Sequence, residues 1–181
     1  RPIAMNDVID EIDALVMAWH PGTMGGPAIV RLLQGDAEPV GRLPVTWPKV
    51  TGQMPIYYNH PSSGRPASEG NFTQMDDFPL EAFQHSTGHK NHYIDIGFKP
   101  QFPFGYGLSY SSVSYSDIKV DKKAINADGE VKVSAKITNT GKRPVTETVQ
   151  LYIRDLVASS IRPVRELKSY QRVTLKPRES K

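Results

Sequence analysis

Five carboxylates gather in one polar stretch of the chain: Glu69, Asp76, Asp77, Glu81 and Asp95. Any two of them could in principle share acid and base work, which needs two carboxyl groups whose surroundings hold them in different protonation states. Carboxylates in a polar loop serve equally well as solvated turn formers. His85, His89 and His92 are spaced closely enough for a metal site, yet they have no cysteine beside them and no clearly placed carboxylate, so the reading is surface histidines and no metal. Gly64-Arg65-Pro66 sets a guanidinium fork in the same stretch. Arg65 could reach ligand hydroxyls, pair with a carboxylate, or pin the loop to its neighbours. Asn71-Phe72-Thr73 is a formal glycosylation sequon.

A second candidate is the loop His20 to Gly26, which follows an apolar run and opens a helical pattern. Open α/β sheets bind ligands at such places. The loop has neither a Gly-Lys-Ser/Thr ending nor a Gly-x-Gly-x-x-Gly spacing, so a phosphate cradle is a weak reading.

The elements that must hold these residues fall into three grammars. In residues 1–49, Asn6-Asp7 can cap a short helix carrying Val8, Ile9 and Ile12, and the continuous run Ala14 to Trp19 predicts a buried parallel strand. A helix is expected over 26–34, with Thr23 as cap, Ile29, Leu32 and Leu33 on one face, and Gly35 just past its end. Leu43, Val45 and Trp47 alternate as in a further strand, which would complete one right-handed crossover. One crossover cannot stand alone, so this portion reads as the end of a larger α/β domain.

Residues 50–110 show no sustained period. Pro, Gly, Asn, Ser and His are plentiful there, but so are aromatics, including Phe72, Phe78, Phe83, Tyr93 and Phe98. Flexible linkers are poor in aromatics, so the stretch reads as a long ordered connector. It ends in "FPFGYGLSY", residues 102–110, a mixture suited to neither helix nor sheet. Residues 111–181 read as strands throughout. Val131, Val133, Ala135 and Ile137 alternate with polar residues, Asn139-Thr140-Gly141 turns the chain, and Val149, Leu151 and Ile153 alternate again. Leu167, Val173 and Leu175 mark one or two more strands. Short strands at this spacing suggest a β-sandwich, which needs about seven strands, so four or five make a truncated one.

Composition bounds the partners. The 181 residues are 38% hydrophobic and 23% charged, ordinary for a globular chain. No run of about 18 apolar residues exists to form a membrane span. The absence of cysteine removes disulfides, thiolate zinc sites and cysteine nucleophiles. The net charge of +3 is small, with basic and acidic residues interspersed, so nucleic acid is not an expected partner. The opening Arg1-Pro2-Ile3 has no initiator methionine and reads as processed or excised.

Assembled in order, these stretches resemble the C-terminal part of glycoside hydrolase family 3, which holds many β-glucosidases and β-xylosidases. "AWHPGTMGG" resembles the family's Trp-x-x-Gly-x-x-Gly-Gly stretch at the end of its α/β sandwich domain, and "GRLPVTWPK" the strand that follows. "QMPIYYNHPSSGRP" is similar to its connector, and "FPFGYGLSY" to its joining signature. "VSAKITNTGKRPVTETVQLYIRD" and "RPVRELKSYQRVTLKPRES" are similar to strands of its fibronectin type III-like domain. The resemblance implies α/β plus all-β: the C-terminal part of an α/β sandwich domain over 1–49, the connector over 50–110, and a fibronectin type III-like β-sandwich, incomplete at its C-terminus, over 111–181.

It further implies a segment of a retaining, exo-acting β-glycosidase that removes terminal sugars from oligosaccharides or glycosides without a cofactor, in the periplasm or outside the cell. Retention needs two carboxyls about 5 to 5.5 Å apart. In the family these are an Asp of an N-terminal barrel and commonly a Glu upstream of the Trp-x-x-Gly stretch, and neither motif occurs here. The catalytic pair is therefore expected outside this chain, whose partners would be the substrate and the remaining barrel and α/β domain of a parent polypeptide. Arg65, Asp95 and Tyr93 are left as candidate substrate contacts, the last two because "HYIDI" resembles a family stretch just before the signature. Where many members carry Glu, this chain has Met24, which points to packing at that position. Gly105 and Gly107 would free the backbone of the signature, while Phe104 and Tyr106 either pack a seam or form a sugar platform. The alternative function is a non-catalytic carbohydrate-binding or interaction module built on the fibronectin-like sandwich.

Overall fold

The structure is a computed structural model and describes residues 1–81 and 89–181. His85 and Phe83 lie outside the described residues. The chain forms two compact units, each made of three segments: one from Arg1–Met17, Leu43–Tyr106 and Leu151–Ser169, the other from Ala18–Arg42, Gly107–Gln150 and Tyr170–Lys181.

The second of these units carries most of the regular structure. Helix α1 spans Gly25–Gln34. Pro27 sits in its first turn, where a missing N–H costs nothing, and Gly35 ends it in the left-handed region at φ 78° with its N–H on the Arg31 and Leu32 carbonyls. The cap residue is Met24 rather than Thr23, without a side-chain bond. Met24 is 69% exposed, which corrects the packing role expected for it. Ile29 and Leu32 are half-buried, but Leu33 is exposed: neighbours cover a stripe one or two residues wide, not the full face.

Four strands follow: β1 Val113–Val120, β2 Val133–Asn139, β3 Val145–Ile153 and β4 Glu166–Leu175. β1 pairs antiparallel with β2, with Val113 opposite Asn139 and Val120 opposite Val133. The register shifts between Ser116 and Lys119, where Asp117 takes φ 52°; the extra residue is a bulge, a common way to bend an edge strand. On β2, Ile137 also exchanges both backbone bonds with Lys181, at 2.7 and 2.9 Å, so the last residues of the chain extend this sheet. β3 pairs with β4. Buried Ile137, Val145 and Leu175, with Val113, Val149 and Val173 packed on them, form the hydrophobic core. Ile137, Val149, Val173 and Leu175 are among the positions that the alternation of the sequence marks, whereas Val131, Val133, Leu151 and Ile153, marked as well, are exposed.

Asn139 is the polar counterpart of that core. Fully buried, it donates to the carbonyls of Arg143 and Lys176 at 2.7 and 3.1 Å. Its Oδ1 accepts from the Ser111 hydroxyl and the Gly141 N–H, at 2.8 and 3.0 Å. A buried amide must satisfy all its groups, and this one uses them to hold the turn after β2. Arg42 and Glu147 form a largely buried ion pair at 2.7 Å, and Glu147 also accepts from the Tyr115 hydroxyl at 2.9 Å. Burial, then that bond to Glu147, raises the Tyr115 phenol well above its ordinary range.

The other unit has little repetitive structure. The expected helix near residue 9 is a single 3-10 turn, Ile9–Glu11. Ala14 to Trp19 forms no strand; Leu15 and Val16 are 42% and 44% exposed, and Trp19, in the segment of the other unit that opens at Ala18, has φ 52°. A buried parallel strand needs a ladder partner on each side, and none of the described residues supplies one here. Nor is 43–47 a regular strand. Leu43 exchanges bonds with Gly105 and Tyr106, and Trp47 with Gln101 and Phe102, while Pro44 and Pro103 withhold the donors a continuous ladder needs between those ends. The expected crossover is therefore not closed by strands of this chain.

Candidate functional site

Trp47 anchors the connector. Its ring is 3% exposed, its indole N–H donates to the Ile3 carbonyl at 2.8 Å, and Phe102 meets it edge-on at 6.1 Å. Gln53, also buried, accepts from the Lys49 N–H at 2.7 Å and donates to the Lys99 carbonyl at 3.2 Å. The Gln53 bond to Lys99 and the aromatic anchor thus tie 47–53 to 99–102, so the connector is ordered by side chains where it lacks periodic backbone. The Met54-Pro55 peptide bond is cis.

The first half of the signature is spent on packing. Phe104 stacks on Tyr58 with centroids 4.0 Å apart, and Phe102 on Tyr106 at 5.0 Å. One face of each ring is taken by its partner, while Tyr106 remains 37% exposed. Gly105 sits at φ 80°, a conformation that needs glycine, where its N–H reaches the Leu43 carbonyl. The signature then passes from one unit's segment to the other's between Tyr106 and Gly107. At Gly107 a Cβ would come within 2.7 Å of the Gly41 carbonyl oxygen.

Next to the Tyr58–Phe104 stack lies a cavity of about 750 Å³, large enough for a small ligand. One wall is held by a bond from the Val164 N–H to the His60 carbonyl at 2.9 Å and a bridge between Pro61 and Pro163. Another is held where the Asn91 N–H meets the Arg65 carbonyl at 2.9 Å. Tyr58 closes the corner: its hydroxyl accepts from the Leu167 N–H at 3.3 Å, and Tyr152 meets its ring edge-on at 6.2 Å. Burial, and then the nearby Tyr58, raise the Tyr152 phenol above its ordinary value. His60, Lys99, Arg154 and Arg165 bring basic groups to the lining, with no acidic side chain among the described residues that line it. Lys99 is ion-paired with Glu69.

Of the residues singled out from the sequence, Tyr93 and Asp95 share one tight turn, closed by bonds of 3.1 and 2.7 Å between Tyr93 and Gly97. The Tyr93 hydroxyl reaches the Gly52 carbonyl at 3.4 Å, and both side chains are exposed. Arg65 is exposed too, and the cavity is lined by its neighbours Pro66 and Ala67 rather than by Arg65 itself. Asp77 accepts from the Gln74 N–H at 2.8 Å in a short turn, while Asp76 and Glu81 lie exposed. His92 is held between the Thr73 and Lys90 carbonyls at 2.7 and 3.0 Å, against the edge of Phe72. No three His, Asp or Glu among the described residues come together as a metal site. The cavity's Arg154 and Arg165 escaped sequence reasoning because they sit in stretches read only as strands. Their one signal was the run Arg162-Pro163-Val164-Arg165, basic and broken by proline just before a strand.

No helix of the described residues is long and apolar enough to cross a membrane. The chain is similar to known proteins over its whole length. A periplasmic β-glucosidase of Salmonella typhimurium is 38% identical over all 181 residues, which make up 22% of that protein. A β-xylosidase of Formosa agariphila is 34% identical, again over the whole chain and 22% of its own length. Among solved structures, a β-glucosidase of Listeria innocua in complex with glucose superposes with a TM-score of 0.83 at 36% identity, over all of this chain and 23% of that one. The chain thus spans about a fifth of the length of the relatives it matches. The fibronectin type III-like domain model matches residues 147–181. The glycosyl hydrolase family 3 C-terminal domain model matches residues 1–110, more than half of the chain, and the chain belongs to glycosyl hydrolase family 3.

Proposed function

We infer that the chain is a segment of a retaining, exo-acting β-glycosidase of the β-glucosidase type, with its two catalytic carboxylates supplied by the rest of a longer polypeptide. The observation that carries this reading is the uninterrupted similarity of all 181 residues to enzymes named β-glucosidase and β-xylosidase. The chain's own carboxylates support it from the other side: Glu69 is engaged by Lys99 and Asp77 by a turn. In this reading residues 1–49 belong to the α/β sandwich domain, 50–110 to the connector and 111–181 to the fibronectin type III-like domain. Arg65, Tyr93 and Asp95 supply contacts at the rim of a sugar site, and no cofactor takes part. The periplasmic relative supports an exported enzyme, periplasmic or secreted.

Hydrolysis of aryl β-glucoside and aryl β-xyloside tests it, with the 181-residue chain beside its longer polypeptide. Activity in the longer protein alone is the expected result. Activity in the short chain would overturn the location of the carboxylates, and silence from both would overturn the glycosidase reading.

A further inference from the structure

We propose that the cavity beside Tyr58 is a binding site for an acidic saccharide, one whose sugar ring carries a carboxylate. Charge comes first in the argument. Among the described residues Arg154 and Arg165 make no ion pair, Lys99 keeps only the exposed Glu69, and no acidic side chain shares the lining. The acidic neighbour of Arg165 in sequence, Glu166, is turned to Lys168 at 3.2 Å. Arginine's planar fork matches a carboxylate with two parallel bonds. A cavity with this balance attracts an anion.

The rest of the lining says what kind of anion. Tyr57 is 64% exposed and Phe98 half-buried, giving apolar ring surface at the cavity wall. Ser62, Asn91 and Gln101 add hydroxyl and amide groups that can both donate and accept, as a polyhydroxylated ligand requires. An inorganic anion would use the arginines and leave the rings and the amides without purpose. The volume of about 750 Å³ suits one or two sugar rings. The inference stands on the cavity and is independent of whether the longer protein is a glycosidase.

Calorimetry on the purified protein at low ionic strength tests it, with methyl β-D-glucuronide, methyl β-D-glucoside and inorganic sulfate as probes. The glucuronide is expected to bind at least about tenfold more tightly than either of the others, the weight of a charge-assisted bidentate pair. Arg154→Met and Arg165→Met should each lose about tenfold for the glucuronide while leaving the glucoside unchanged. Arg165→Lys keeps the charge without the fork and should retain part of the affinity, so it answers the same question if a Met variant fails to fold. Equal binding of glucuronide and glucoside would overturn the proposal. So would sulfate matching the glucuronide, which would mark a plain anion site, or the absence of any binding at millimolar glucuronide.

Discussion

The two units of this chain solve the same problem by opposite means. The unit with the strands places its backbone polar groups in ladders and its aliphatic side chains, Ile137, Val145 and Leu175, in one small core. The unit with the connector has only the ends of β3 and β4 as regular ladder and is otherwise held by single anchors: Trp47, Gln53, and the stack of Tyr58 on Phe104. Ladders satisfy backbone groups collectively and so leave side chains free to pack. Irregular chain must satisfy them one by one through side chains and turns, and what remains unsatisfied, such as Thr46, borders a cavity. Order without repetition is what lets that unit enclose space, in keeping with the tendency of binding residues to sit on loops fixed by a scaffold.

That contrast can be broken most sharply at Trp47. Trp47→Ala should cost about 3–5 kcal/mol and remove hydrogen-exchange protection from residues 43–58 and 96–106, with β1 and β2 keeping theirs. Leu175→Ala, at a site with no exposure, should cost about 2–5 kcal/mol and do the reverse, stripping protection from the strands first. If either variant melts both units together in denaturant titration, the two do not unfold separately and the contrast is one of architecture only. Asn139→Ala should cost about 1–3 kcal/mol, since the Ser111 hydroxyl and the Arg143 carbonyl lose their partner in a buried place.

Smaller effects sharpen the electrostatic side. Glu147→Gln should cost about 1 kcal/mol by weakening the bond to Arg42, and should lower the Tyr115 phenol part of the way back, burial being the larger cause of its rise. Ultraviolet titration of tyrosinate reads this directly. Because the fold favours the protonated phenol, its contribution to stability is intact below the ordinary pKa of 10.0 and falls as pH rises above it. Glu179 has the opposite sign. A bond from the Lys176 N–H holds its carboxyl below the ordinary 4.5, so its contribution is present above that pH and lost as pH falls through the depressed value. Glu179→Gln should therefore shift the melting midpoint slightly at pH 7 and leave it unchanged at low pH.

The alternation over 131–137 and 149–153 and the Gly35 stop after residues 26–34 determined their elements without help, because a period of two or of 3.6 is written into which positions are apolar. The order of the family stretches likewise determined the family. Tertiary structure decided what periodicity could not reach. The apolar run Ala14 to Trp19 did not become a strand, since a strand exists only beside a partner. Pro44 and Pro103 broke a pairing that the alternation of Leu43, Val45 and Trp47 had suggested. The cavity itself joins Thr46, Tyr58 and Lys99 to Arg154 and Arg165, residues from distant parts of the chain, and no local pattern can encode a meeting that depends on how irregular segments close upon one another.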